Sequence, residues 1–269
     1  MSAFLVEPAD LQRDIELGDA PLLVDARKAV EYAQGHITGA VNFSTYDFFV
    51  TDTRPGGLSA FARDMATRYL GLGISNLRPV VIYEETTGMR AARDAWVLEL
   101  LGHRDVGILH GGLAAWRAAG CTVTAQPAEE WTVSFVVRER LALAIGFDEI
   151  ASRLGTSDLV LLDVRDALEH AGRDSTACCP RRGRIPGAVR IEWTEFLERG
   201  RYKPPEAIHA LLAARGIDPG AEIVPYCHRG ARSANTFYAL RHAGLSRVRN
   251  YIGSWHEWST RAELPIETG

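Results

Sequence analysis

Cysteine is scarce in this chain: four among 269 residues, at positions 121, 178, 179 and 227. An extracellular disulfide scaffold is denser in cysteine and poorer in core, so that class is excluded. No pair has C-x2-C spacing and the histidines show no zinc pattern, so neither a structural metal nor a cofactor is expected. Long apolar runs are missing as well. "LALAIGF" falls far short of the roughly 20 residues that span a bilayer. The first residues, "MSAFLVEPADLQRDIELGD", have no charged segment leading into a long apolar one, and a cytoplasmic chain is the expectation. Charge of one sign is not in excess either. The net charge is −4, which gives no general reason to expect nucleic acid or a membrane as partner.

What is present is an ordinary globular composition, 46% apolar and 24% charged, long enough for two domains of roughly 100–150 residues. The chain also repeats itself. "PLLVDARKAVEYAQGHITGAVNF" returns as "LVLLDVRDALEHAGRDSTACCPRRGRIPGAVRI", and "RPVVIYEETTGMRAARDAWVLELLG" returns as "AEIVPYCHRGARSANTFYALRHAG". In this register Asp25 matches Asp163, Arg27 matches Arg165, Gly39 matches Gly187, Glu84 matches Cys227 and Trp116 matches Trp258. The expected domains are 1–124 and 146–269, with 125–145 as the linker.

In each copy, short runs rich in Val, Ile and Leu ("PLLVDA", "PVVIYE", "VGILHG") alternate with longer amphipathic ones ("MRAARDAWVLELLG", "SANTFYALRHAG"). The former read as buried parallel strands and the latter as helices. The fold class is α/β: two tandem domains, each a central parallel sheet with helices on both faces.

"VPYCHRGARS" is the segment that carries chemistry. Cys227 follows a strand pattern and precedes a helical one, the place where ligands bind in open α/β sheets. Free amides of the loop, the helix dipole, Arg229 and Arg232 all favour an anion there. Such surroundings lower a thiol pKa from about 8.5 to roughly 3.5–7.5. A thiolate nucleophile is the reading for Cys227. An inert, small buried hydrophobe is the reading for Cys121. Cys178 and Cys179, in the polar insertion "GRDSTACCPRRGR", read chiefly as incidental thiols of an exposed loop. If that insertion lies near the cleft mouth, one of them could instead resolve an oxidised Cys227 as a disulfide.

The "Asp-x-Arg" strand ends, the "GHITGA" and "GRIPGA" turns, the loop "CHRGAR" and the closing "YIGSWHEW" together resemble the rhodanese family of sulfurtransferases over nearly the whole chain. The resemblance implies a two-step reaction. Cys227 takes a sulfane sulfur from a small donor such as thiosulfate, becomes a persulfide, and passes the sulfur to cyanide or a thiol. It implies that residues 227–232 curl around the sulfur, so His228, Arg229, Gly230, Ala231 and Arg232 join Cys227 at the substrate, with Trp193 lining the pocket. It also implies an inactive first domain, because Glu84 stands where the cysteine would be. Asp25–Arg27 and Asp163–Arg165 are expected to be ion pairs that brace turns. Glu169 stands near the place where some thiosulfate-using members carry a second arginine, with Arg173 slightly later. Mercaptopyruvate as donor is the alternative, followed by a non-catalytic binding module. A phosphatase or arsenate reductase would need C-x5-R, whereas this loop is C-x4-R with Ser233 in the last place. A monomer is the expected state.

Overall fold

The structure is a computed structural model that describes residues 4–128, 133–174, 177 and 179–269. It divides into two compact units. One comprises 1–48, 60–140 and 199–201, and the other 49–59, 141–198 and 202–269. The units therefore differ from a simple cut within 125–145. Segment 49–59 groups with the second unit because Thr53 donates from N and Oγ1 to the buried Glu257 carboxylate (2.8 and 2.6 Å). Thr53 Oγ1 also accepts from Phe147 N (3.0 Å).

In the first unit the elements run β1 (Leu5–Val6), α1 (Pro8–Glu16), β2 (Leu22–Asp25), α2 (Ala29–Gln34) and β3 (Val41–Asn42). They continue with α3 (Pro55–Tyr69), which starts within segment 49–59, then β4 (Val80–Tyr83), α4 (Met89–Leu100), β5 (Val106–Leu109) and α5 (Gly112–Ala118). The five strands form one sheet in the order β1-β5-β4-β2-β3, every pair parallel. Parallel neighbours require crossovers, and the helices between the strands supply them. All four residues of β4 are buried. Val81 and Tyr83 join a cluster with Leu11, Leu113 and Trp116, while Val80 and Ile82 face the other way. A strand buried on both faces is what a sheet covered on both sides requires.

The second unit holds α6 (Phe147–Ser152), β6 (Leu159–Asp163), α7 (Ala167–His170), β7 (Val189–Arg190) and the short strand β8 (Leu197–Glu198), followed by β9 (Arg201–Tyr202), whose first residue groups with the first unit. After them come α8 (Pro205–Ala213), β10 (Glu222–Tyr226), α9 (Ala231–His242) and α10 (Ser254–Thr260). Its sheet has the order β10-β6-β7, again parallel. Parallel bridges Ile223–Val248 and Ala144–Asn250 extend it by two short positions, which reproduces the five-strand order of the first unit.

The cores repeat too. Leu23, Ile37, Val81, Tyr83, Leu113 and Trp116 of one cluster correspond to Leu161, Ile185, Val224, Tyr226, Trp255 and Trp258 of the other. Each closing tryptophan donates its indole N–H to a backbone carbonyl just beyond its helix: Trp116 to Thr122 and Trp258 to Pro265, both at 2.8 Å. Among the described residues, no helix is long and apolar enough to cross a membrane.

Candidate active site

β10 ends at Tyr226, and Cys227 is the first residue past it, 1% exposed. The chain then turns through Gly230, whose φ of 84° lies in the left-handed region that glycine enters without cost, and α9 starts at Ala231. That curl turns the backbone inward. Gly230 N–H donates to the Cys227 sulfur at 3.1 Å. The hydroxyls of Ser233 and Ser254 lie 3.8 Å from the same atom. Burial pushes the Cys227 thiol up. The charge of Arg232, the amide and hydroxyl of Ser233 and the amide of Arg229 together outweigh it, so the thiol sits below its ordinary value. A buried cysteine held towards thiolate is an activated nucleophile.

A second segment supports the loop from behind. Trp255 N donates to Cys227 O, and His256 N to His228 O, each at 2.9 Å. Cys227 N donates to Ser254 Oγ (3.1 Å), which in turn donates to Tyr251 O (2.8 Å). Ser254 adopts φ 54°, a left-handed conformation that costs a non-glycine residue free energy. Sequence reasoning passed over it. The available signal was a substitution between the copies: Gly112 of "GGL", at φ 61°, is replaced by Ser254 of "GSW".

The charged side chains are not all aimed at the sulfur. Arg232 makes a two-pronged ion pair with Glu169 of α7 (2.6 and 2.9 Å). Glu169 thus engages the loop cation. The Arg229 guanidinium lies 3.9 Å from the centre of the Phe49 ring. Burial, then Arg229 and Arg232, lower His228 to about 4, so it is neutral at neutral pH. His228, Arg229, Gly230, Ala231 and Arg232 therefore share one loop with Cys227. Trp193 begins the turn 193–196, which packs against α9. Trp193 itself is half-buried, with its N–H bonded to Val164 O (3.1 Å), and among the described residues no hydrogen bond or ring contact joins it to the loop. Arg173 is exposed.

The expected brace is present twice. Arg165 donates from Nε and an Nη to Asp163 (2.8 and 2.6 Å) and to Gly183 O (2.8 Å). Arg27 does the same with Asp25 (3.0 and 2.6 Å) and Gly35 O (2.7 Å). Two thiol readings change. Cys179 is buried in the second unit's core rather than exposed, because Arg181 ties its loop inward. Cys121 is half-buried against the first unit's core rather than enclosed. Cys178 lies outside the described residues.

In the first unit the equivalent loop carries its own anion. Glu84 Oε1 accepts from Arg90 N and Ala91 N (2.7 and 3.0 Å), filling the helix N-terminus with a carboxylate. The backbone frame around it is unchanged: Leu113 N donates to Glu84 O and Ala114 N to Glu85 O, each at 2.9 Å. Burial outweighs those amides and raises Glu84 from 4.5 to about 7. A raised acid pKa favours the fold below the unfolded value of 4.5, and that advantage is lost as pH climbs through about 7. The loss is about 3 kcal/mol, at 1.36 kcal/mol per pKa unit. Glu84→Gln should therefore melt progressively higher than the parent as pH rises from 5 to 8. A melting difference that stays constant across that range would contradict this.

Comparison with known proteins decides the family. The rhodanese-like domain family matches residues 7–119 and again 147–261. The chain belongs to the rhodanese-like family. Among curated relatives, the thiosulfate sulfurtransferase of Pseudomonas aeruginosa is 32% identical, covering 98% of this chain and 96% of its own length. The 3-mercaptopyruvate sulfurtransferase of Escherichia coli is 29% identical over 90% of this chain and 87% of its own. The wild-type structure of EanB superposes with a TM-score of 0.87 at 25% identity, over 99% of this chain and 69% of that one. The two matches fall largely on the two units, segments 49–59 and 199–201 excepted: Glu84 lies in the first match and Cys227 in the second.

Proposed function

We propose that this chain is a thiosulfate sulfurtransferase that carries sulfur as a persulfide on Cys227. The observation that carries the reading is a buried thiol held towards thiolate by Arg232 and the loop amides, with Gly230 N–H 3.1 Å from the sulfur. In the first step the Cys227 thiolate attacks the outer sulfur of thiosulfate. The S–S bond of the donor breaks, and sulfite leaves with the electron pair. The new terminal sulfur carries the negative charge and lies where loop donors can stabilise it. In the second step cyanide or a thiolate attacks that sulfur, the Cys227–sulfur bond breaks, and the Cys227 thiolate is restored. Both small molecules are met by a monomeric chain in the cytoplasm.

Two guanidinium groups on the loop support thiosulfate, a dianion, as the donor. So do the names of the relatives from Pseudomonas aeruginosa and Azotobacter vinelandii, each 32% identical to this chain. Mercaptopyruvate is the second reading, favoured by the Arg232–Glu169 pair, which reduces the net positive charge of the loop. Steady-state kinetics with both donors test the choice. Arg229→Ala should reduce use of thiosulfate by roughly 10–100-fold, the scale of a charge-assisted contact of about 1.5–3 kcal/mol. Mercaptopyruvate, with less charge, should suffer less. Equal losses for the two donors would remove Arg229 as the group that selects between them, and a parent chain faster with mercaptopyruvate would reverse the donor assignment.

A further inference from the structure

A cluster of ligating side chains has one member in the loop, His228, and two outside it. Cys179, His228 and His256 bring one thiol sulfur and two ring nitrogens to within 4.8 Å of one another, all inside the second unit. No local spacing announces the set, because its members come from three separate segments of that unit.

The framework fixes all three. His228 and His256 are held side by side by the bond from His256 N to His228 O (2.9 Å), and their rings meet edge to face with centroids 6.2 Å apart. Cys179 is placed by Arg181, two residues on, whose guanidinium donates to the carbonyls of Trp258, Ser259 and Leu264 at 2.9, 3.0 and 2.8 Å, and to that of Arg261. Trp255 returns a bond from its indole N–H to Arg181 O (3.2 Å). The insertion and the end of the chain are thereby locked together around the cluster. His256 Nδ1 is buried and, among the described residues, has no hydrogen-bond partner. A buried ring nitrogen left unsatisfied costs free energy, and a bound ion would remove that cost.

We propose that Cys179, His228 and His256 form a binding site for a soft, thiophilic cation, copper(I) in preference to zinc(II). One thiolate and two imidazoles are a donor set that suits both ions. Metal–sulfur and metal–nitrogen bonds of about 2.3 and 2.0–2.1 Å set the ligand atoms roughly 3.5–3.8 Å apart, so side-chain rotations of about 1 Å close the site. Three ligands complete a trigonal copper(I) centre, and the thiolate cancels its single charge. Zinc(II) would want a fourth ligand and would leave a net positive charge close to Arg229, the residue after His228. On binding, the Cys179 thiol proton passes to solvent, a copper–sulfur bond forms and each ring donates a lone pair. No electrons change hands.

Metal binding does not require sulfur transfer, so the test uses a chain that lacks the nucleophile. Reduced Cys227→Ser protein is titrated anaerobically with copper(I) against a chromogenic copper(I) chelator. One equivalent should bind, and X-ray absorption should show one sulfur and two nitrogens around it. In that background Cys179→Ser and His256→Ala should each weaken binding at least about 100-fold, since even an outer partner of a metal ligand is worth about 10–100-fold. Because Cys179 lies in the core, each variant is first checked by near-ultraviolet circular dichroism. If Cys179→Ser does not fold, His256→Ala and the milder His256→Gln carry the test. Undiminished affinity in the folded variants, an all-sulfur coordination shell, or tighter binding of zinc(II) than of copper(I) would each overturn the proposal.

Discussion

Cys227→Ser should reduce sulfur transfer to the uncatalysed background, a loss of about 10⁴-fold or more, the scale on which removal of a nucleophile acts. The parent chain incubated with thiosulfate should gain one sulfur atom, located at Cys227 by peptide mass, and the serine variant none. The reason is chemical rather than steric. The loop donors and Arg232 together overcome burial and hold the thiol below its ordinary value. A hydroxyl in the same place has a far higher pKa, stays protonated, and cannot hold a sulfane sulfur in a form that an acceptor removes. The ordering of the thiols gives an independent check. Burial, then the charge of Glu16, raise Cys121, whereas Cys227 is lowered. Alkylation of Cys227 should therefore set in at lower pH than that of Cys121, and Cys121→Ser should leave turnover nearly unchanged. Full transfer by the Cys227→Ser chain would remove the persulfide mechanism altogether.

The parts of this site that were legible in the sequence share one property: they are local. The strands β4 and β10 announce themselves as apolar runs buried on both faces, and a cysteine between such a run and a helix places the nucleophile. Glu84 in the matching position marks the first unit as unable to carry sulfur, although the sequence did not show that its carboxylate fills the helix terminus in place of a substrate anion. What was not legible depends on segments distant in the chain. Glu169 and Arg232 meet only because α7 and the start of α9 are brought together. Segment 49–59 joins the second unit through Thr53 and Glu257, contacts that no periodicity encodes. The polarity of "GRDSTACCPRRGR" suggested an exposed loop, yet the hydrogen bonds of Arg181 to four carbonyls draw part of it inward and bury Cys179. Arginine-rich sequence looks like surface until the carbonyls that it satisfies are known.

Asp163→Ala should cost about 3–5 kcal/mol of stability, the range for removing one partner of a buried ion pair and leaving the other uncompensated. Asp163 is fully buried and accepts from Arg165 N (3.1 Å), Arg165 Nε (2.8 Å), an Arg165 Nη (2.6 Å) and Tyr226 OH (2.9 Å), and pairs with His170 Nδ1 (2.9 Å). Removing it strands the Arg165 guanidinium, which stacks 4.9 Å from the Trp255 ring and holds Gly183 O. Tyr226 immediately precedes Cys227, so the loss also loosens the strand end that presents the nucleophile. Asp25→Ala should cost a similar amount, because Asp25 makes the same bonds to Arg27. It should leave the chemistry of any chain that remains folded untouched, because the first unit has no sulfur nucleophile in that position. That contrast separates bracing from catalysis: equal destabilisation by the two variants, but a lowered rate per folded molecule only for Asp163→Ala. Acid supplies a second test. Burial opposes ionisation of Asp163, but Arg165 and His170 overcome it and hold the carboxyl at about 2, against 3.8 when unfolded. The stabilisation is fully present above 3.8 and is lost as pH falls through about 2, an amount of about 2 kcal/mol at 1.36 kcal/mol per unit. Thermal melts of the parent should show this loss between pH 4 and 2, and melts of Asp163→Ala should lack that component. If Asp163→Ala melts within a degree of the parent at pH 7, Asp163–Arg165 is not the brace described.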